Sequence, residues 1–228
     1  MIDDAPLLTI KRRFARPSKA EIAAFAGVPT GFVVDALGGR GAMVPAVKPI
    51  AGTGPFCGTA LPCAAGPADN LAVVGALMIA ESGDVVVCAA DSFTQTAVTG
   101  DLLLGMLQNK GCAGFVTDGA VRDLPGIRHV GLPCYATAVT PNSPAKNGPG
   151  TVGLPVVVGG VTVGPGDIVV GDEDGVVVVP RALVPQTIER LAAVEAAEAT
   201  LLAEVESGLT VPPSILALAA AGRFVEVD

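Results

Sequence analysis

The segment that most restricts the fold is residues 85–116, where an unbroken apolar run (85–90), a helix-periodic stretch (101–110) and a second apolar run (113–116) follow one another with turn residues between. Short Val- and Ala-rich runs flanking a helical pattern spell strand, helix, strand. Two strands joined through a helix lie parallel in one sheet, so the chain is expected to be α/β. The helix carries its own signals. Asp101 stands where it can cap the free N–H groups ahead of Leu102, Leu103 and Leu104, and Lys110-Gly111 provides the stop.

Pro17 and the capping box Ser18-Lys19-Ala20-Glu21 announce an opening helix that ends at Gly27. A short helix over 30–37 runs into Gly38-Gly39-Arg40-Gly41, and residues 44–61 read as short strands. A further helix is expected near 68–80. Beyond Pro133 the pattern turns to β, with Gly159-Gly160 as a hairpin signal between Val156-Val157-Val158 and Val161-Thr162-Val163. Residues 181–207 form a long helix whose Ala, Leu and Glu surface suits packing on a neighbour, and an apolar appendage follows. The 29 glycines and 19 prolines are spread along the chain, which points to many short elements and no linker. With 228 residues the expectation is a single domain over 1–228, with a core at about 17–180 and a helical arm at about 181–228.

Charge and composition narrow the function. A formal charge of -8 repels phosphate backbones, and no Trp, one Tyr and seven Phe leave no stacking platform, so neither nucleic acid nor an anionic membrane is an expected partner. The longest apolar stretch, 71–80, falls short of the ~20 residues a membrane span needs. Residues 1–16 carry Asp3 and Asp4 ahead of their bases and do not read as a signal peptide. Five cysteines without a C-x-x-C pair read as reduced core thiols, and a cytoplasmic protein is expected. The one histidine, His129, excludes sites built on several imidazoles, so any metal is expected to be held by oxygen.

The local candidate for chemistry is Thr117-Asp118-Gly119-Ala120-Val121-Arg122-Asp123, a polar turn directly after the 113–116 strand. Ligands of α/β sheets bind beyond the carboxyl ends of strands. By itself the stretch reads first as a solvated Asp-Gly turn followed by a surface Arg and Asp, and Asp101 as an N-cap worth about 1 kcal/mol. Together, Asp101, Arg122 and Asp123 put two carboxylates and a guanidinium around a helix amino terminus, a setting for a divalent cation and a carboxylate ligand. Other residues draw less. Gly52-Thr53-Gly54-Pro55-Phe56-Cys57-Gly58 misses the dinucleotide fingerprint by one residue; Arg40 could reach a distal carboxylate or simply face water; His129 reads as structural. Lys48 and Lys146 could form a Schiff base, but neither has a visibly desolvated setting.

Asp101, twenty residues, then Arg122-Asp123 resembles the signature of the class II pyruvate aldolases that cleave 4-hydroxy-4-methyl-2-oxoglutarate. Flanking strings are similar to the same family: Gly100-Asp101-Leu102-Leu103, Pro141-Asn142-Ser143-Pro144, Lys146-Asn147-Gly148-Pro149-Gly150, and the Gly171 to Pro180 stretch. The resemblance spans about residues 17–210. It implies an αββα sandwich of the swivelling β/β/α type, assembled as a homotrimer or homohexamer, with the long C-terminal helix packing on a neighbouring subunit. The superfamily also contains the regulators of ribonuclease E activity and proteins labelled demethylmenaquinone methyltransferases. The regulators keep the Arg-Asp pair but carry Gly where the aldolases carry the upstream Asp, so Asp101 points to the enzyme; no glycine loop here fits an adenosyl cofactor.

Roles follow from the resemblance. Asp123 would bind Mg2+ or Mn2+ with waters completing the shell, and Gly100, Leu102, Leu103 and Arg122 would hold the pyruvyl end of a small 2-oxo diacid. Asp101 and an acidic residue of the neighbour's C-terminal helix would hold the water that acts as base, with Glu198 the best match and Glu195 the second. The implied substrates are 4-hydroxy-4-methyl-2-oxoglutarate or 4-carboxy-4-hydroxy-2-oxoadipate, with oxaloacetate decarboxylation through the same enolate. The alternative is a non-catalytic trimeric regulator on the same scaffold.

Overall fold

The computed structural model describes residues 6–52 and 54–227. Asp3 and Asp4, and Thr53 of the glycine-rich 52–58 segment, lie outside the described residues. Two compact units result, 1–191 and 192–228.

In chain order the first unit contains β1 (Leu8–Ile10), α1 (Lys19–Ala23), α2 (Thr30–Ala36), β2 (Lys48–Ala51), β3 (Phe56–Ala64), α3 (Leu71–Ala76) and β4 (Asp84–Ala89). There follow β5 (Ala97–Thr99), α4 (Asp101–Asn109), β6 (Gly114–Thr117), β7 (Ala120–Val121), α5 (Leu124–Val130), β8 (Cys134–Ala136) and β9 (Ala138–Val139). The rest is strand-rich: β10 (Gly150–Val152), the hairpin β11 (Val156–Val158) and β12 (Val161–Val163), then β13 (Ile168–Gly171) and β14 (Val176–Val179). A 3-10 turn, Arg181–Leu183, leads into α6 (Val184–Glu206).

The main sheet has nine strands, with β1-β10-β3-β4-β6-β8-β2 in order and β13 paired to both β3 and β14. Strands β3, β4, β6 and β8 run parallel, so the strand-helix-strand unit read at 85–116 lies at the centre. Every residue of β4 is buried, as expected of a strand covered on both faces. Its side chains alternate between two cores. Val86 and Cys88 pack with Leu104, Leu107 and Ile127 of α4 and α5, while Val85 and Val87 pack with Val156, Val158, Val169 and Val178 of the later strands. Helix α2 in turn contacts β14. Helices, main sheet, second β layer and helix thus follow in the αββα order.

The capping box forms in both directions: the Glu21 N–H donates to Ser18 Oγ at 3.2 Å and the Ser18 N–H to Glu21 Oε2 at 2.7 Å. The 68–80 helix is shorter than its pattern. Ala68 has φ of 58°, and Asp69 Oδ1 accepts from the Leu71 N–H at 2.7 Å, so the helix starts only after this side chain has closed a turn. Three two- or three-residue strands, β5, β7 and β9, form a separate parallel sheet for which the sequence carried no signal.

The second unit, 192–228, holds the remainder of α6 and α7 (Pro213–Ala220). None of its described residues is buried, and Leu201, Leu202, Val205, Ile215, Leu216 and Leu218 are exposed. Among the described residues no helix is long and apolar enough to cross a membrane.

Candidate active site

The cleft that gathers the expected residues lies at the carboxyl end of the small parallel sheet and not directly beyond β6. Strand β5 pairs parallel to β7, with Ala97 opposite Ala120 and Thr99 opposite Val121. Both chains therefore leave the sheet at the same edge. After β5 the chain passes Gly100 into α4, and after β7 it passes Arg122 and Asp123 into α5. The Arg122 N–H donates to the Thr99 carbonyl at 3.1 Å and holds the two exits together. Two helix amino termini and their first carboxylates thereby converge on a cleft of about 330 Å³.

The expected polar turn is split in two by this arrangement. Asp118 is buried, and its carboxylate accepts from the Ala90 N–H at 2.8 Å and the Ser92 N–H at 3.0 Å, which fastens the end of β4. It is a structural pin. Arg122 and Asp123, four and five residues on, are 37% and 43% exposed at the side chain and open to the cleft.

Asp101 differs in detail from the expected cap. The capping position is Gly100, and Asp101 is the first helical residue, with Oδ1 accepting from the Leu102 N–H at 2.7 Å. That amide, expected to face the ligand, is thus taken by the protein, whereas the Leu103 N–H remains one of the first-turn donors that have no acceptor within the helix. Leu102 itself is 76% exposed at the rim. Gly100 has φ of -148°, ordinary extended backbone, so its reason is space: a Cβ there would collide with Asp123 Oδ2 and approach Arg122 Cγ to 3.2 Å.

Asp123 adopts φ of 63° at the start of α5, where a short polar side chain tolerates left-handed backbone. Its Oδ2 accepts from Arg122 Nε at 3.1 Å; Oδ1 has no protein partner among the described residues. Arg122 Nη1 donates to Ser143 Oγ at 2.6 Å.

Three further polar residues line the cleft: Asn70 and Ser143, to which the sequence assigns no role, and Lys146, considered as a Schiff-base lysine and exposed here. Asn70 is 5% exposed, and its Oδ1 is buried with no hydrogen-bond partner among the described residues, an orphan that costs about 1–3 kcal/mol. Ser143 and Lys146 come from the loop before β10. That loop is pinned through buried Asp69, which accepts from the Asn147 N–H at 2.5 Å and the Gly148 N–H at 3.1 Å. The Asp69-Asn70 pair carries no local motif, and only the Pro-rich string around Ser143 hinted at a fixed loop.

His129, Lys48 and Arg40 lie outside this cleft. His129 is exposed on the last turn of α5, Lys48 bonds the Asp174 carbonyl, and Arg40 lines a different hollow with Arg190. Glu195 and Glu198 are exposed on α6 within the second unit. Burial pushes the Cys57 and Cys134 thiols up to about 12 and Cys112 to about 11, which marks them as inert packing groups.

Set beside known proteins, the chain is 38% identical over 167 residues to a Halalkalibacterium halodurans protein provisionally named 4-hydroxy-4-methyl-2-oxoglutarate aldolase, covering 72% of this chain and 80% of that one. It is 38% identical over 113 residues to a Thermus thermophilus protein named 4-hydroxy-4-methyl-2-oxoglutarate aldolase, covering 50% and 69%. The solved structure of the RNA-processing inhibitor RraA from Thermus is similar with a TM-score of 0.61 at 34% identity, over 67% of this chain and 93% of that one. The RraA-like profile, described as Aldolase/RraA, matches residues 30–178. On this match the chain belongs to the RraA-like aldolase/RraA family.

Proposed function

We propose that this protein is a divalent-metal-dependent aldolase that cleaves 4-hydroxy-4-methyl-2-oxoglutarate or 4-carboxy-4-hydroxy-2-oxoadipate to pyruvate and a second 2-oxo acid, and decarboxylates oxaloacetate. The observation that carries this reading is the meeting of Asp101, Arg122 and Asp123 on one cleft at the first turn of α4. The names of the two aldolase relatives support it.

Asp123 suits Mg2+ or Mn2+. Its carboxylate is half exposed with one oxygen free of protein partners, and such ions commonly take one or two carboxylates and keep several waters. No group of three acidic, His or Cys side chains gathers among the described residues, so water and substrate oxygens would fill the shell. When bound there, the cation supplies Lewis-acid stabilisation of the negative charge that develops on the 2-oxo oxygen.

The chain's own groups do the rest. A guanidinium has five N–H donors; one is spent on Asp123 and one on Ser143, which leaves three for the pyruvyl carboxylate and oxo oxygens. The Leu103 N–H adds a donor at the positive end of α4, and Gly100 keeps the approach open. Asp101 holds the water that takes the C4 hydroxyl proton while the C3–C4 bond breaks; the electron pair moves to the pyruvyl fragment as enolate, and a proton on C3 completes pyruvate. Glu198 of a neighbouring copy, or Glu195, shares that water in the proposed homotrimer or homohexamer. The exposed apolar surface of 192–228 supports such an assembly.

Pyruvate release from a panel of 2-oxo acids with Mg2+, beside a chelated control, tests the activity. Release that stops on chelation is the expected result. No release from any member favours the second reading, a non-catalytic regulator, which the likeness to the Thermus RNA-processing inhibitor keeps open. Light scattering tests the assembly, where a mass near 22.6 kDa would contradict it.

A further inference from the structure

A guanidinium beside a carboxylate tends to close into a two-point fork that occupies both oxygens. Arg122 does not do so on Asp123. Only Nε reaches Oδ2, at 3.1 Å, while Nη1 is drawn to Ser143 Oγ at 2.6 Å. The shorter contact comes from outside the pair.

Ser143 is exposed, but the backbone on both sides of it is fixed. On one side Asn142 Nδ2 donates to the Gln95 carbonyl at 2.8 Å, and the Asn142 carbonyl accepts from the Ala97 N–H at 3.0 Å. On the other, the Ala145 N–H donates to the Ala68 carbonyl at 2.8 Å. Pro141 and Pro144 restrict the backbone around it. The backbone that carries Ser143 is therefore held by the start of β5 and the turn before α3, independently of Arg122.

We propose that Ser143 is the positioning residue of this site: it holds Arg122 to a single contact with Asp123, so that Asp123 Oδ1 stays available to a cation and the remaining guanidinium donors stay available to a substrate carboxylate. This rests on the aldolase reading above. Without Ser143 the guanidinium closes onto Asp123 and competes with the cation for the same oxygens.

The test is Mn2+ binding followed by electron paramagnetic resonance of the free ion, on the full chain, with wild type, Ser143→Ala, Ser143→Thr, Arg122→Ala and the Ser143→Ala/Arg122→Ala double variant. Ser143→Ala should weaken Mn2+ binding about tenfold, within the range for coupled neighbours, and Ser143→Thr should restore it to within about twofold. In the Arg122→Ala background the serine change should have less than about a twofold effect, since there is no guanidinium left to position. Pyruvate binding to the Mn2+-loaded proteins should follow the same pattern. Wild-type Mn2+ affinity in Ser143→Ala, or an equal loss with and without Arg122, overturns the inference while leaving the aldolase reading intact. A wild-type chain that binds no Mn2+ removes the metal reading and this inference with it.

Discussion

The carboxylate of Asp101 rests against the bare α-carbon of Gly126, on the neighbouring helix α5: a Cβ at position 126 would overlap Oδ2 and lie 2.6 Å from Cβ and 2.7 Å from Cγ of the aspartate. Two helices thus share one space, and the glycine yields it to the acid. Gly126→Ala should drive Asp101 from its place with the remaining cleft residues unchanged. Cleavage of 4-hydroxy-4-methyl-2-oxoglutarate should fall by roughly 10²-fold, the scale of a misplacement of about 1 Å. Circular dichroism should show the fold retained. Unchanged kinetics would mean that Asp101 has no role tied to its position.

Asp101→Asn separates proton transfer from metal holding. It should lower aldol cleavage by ~10²–10⁴ and leave Mn2+ affinity near wild type. Oxaloacetate decarboxylation needs no proton from a C4 hydroxyl and should suffer less. Equal loss in both reactions with weakened metal binding would reassign Asp101 to the metal shell.

Asp123→Asn keeps a side chain that accepts left-handed backbone at φ of 63° but removes the charge, so it should fold normally and lose Mg2+-dependent pyruvate release. Near-normal activity at saturating Mg2+ would place the metal elsewhere. Asp123→Ala adds backbone strain and is the less informative variant.

Arg122→Lys retains the charge but cannot meet Asp123, Ser143 and a ligand at once, because an ammonium is a point donor. At least about a tenfold loss in kcat/KM is expected. Equal steady-state constants for the two proteins would take Arg122 out of the site.

The thiols set an alkaline limit. Cys57, Cys112 and Cys134 titrate at about 12, 11 and 12 when folded, against 9.0 for an unburied thiol, because burial disfavours the thiolate. Between pH 9 and 12 the folded chain binds more protons than the unfolded one, so stability is fully present below pH 9 and declines as pH rises through the folded values. Denaturant midpoints measured from pH 8 to 11 should fall, and a flat profile would contradict the burial of these groups.

Sequence pattern reached the central fold because 85–116 combines buried β runs with a capped helix, and such signals are local. It also reached Asp101, Arg122 and Asp123 as neighbours on one edge, although the parallel pairing of β5 with β7, and not the β4 to β6 crossover alone, brings them together. What escaped it was non-local. Strands β5, β7 and β9 are two or three residues each and exist only by pairing with one another. Asn70, Ser143 and Lys146 enter the cleft through Asp69 and the hydrogen bonds around Asn142, contacts between segments about 47–79 residues apart that no window of sequence contains. The 68–80 helix is shorter than its pattern for the related reason that Asp69 is spent on the loop and the helix start together.

Gly100 has a consequence for descent. Its backbone is ordinary, and its neighbours are Asp123 and Arg122. A single methyl group at this position would crowd Asp123 and Arg122 and leave the αββα body standing. One substitution in descent therefore changes the cleft at position 100 and leaves the fold as inherited.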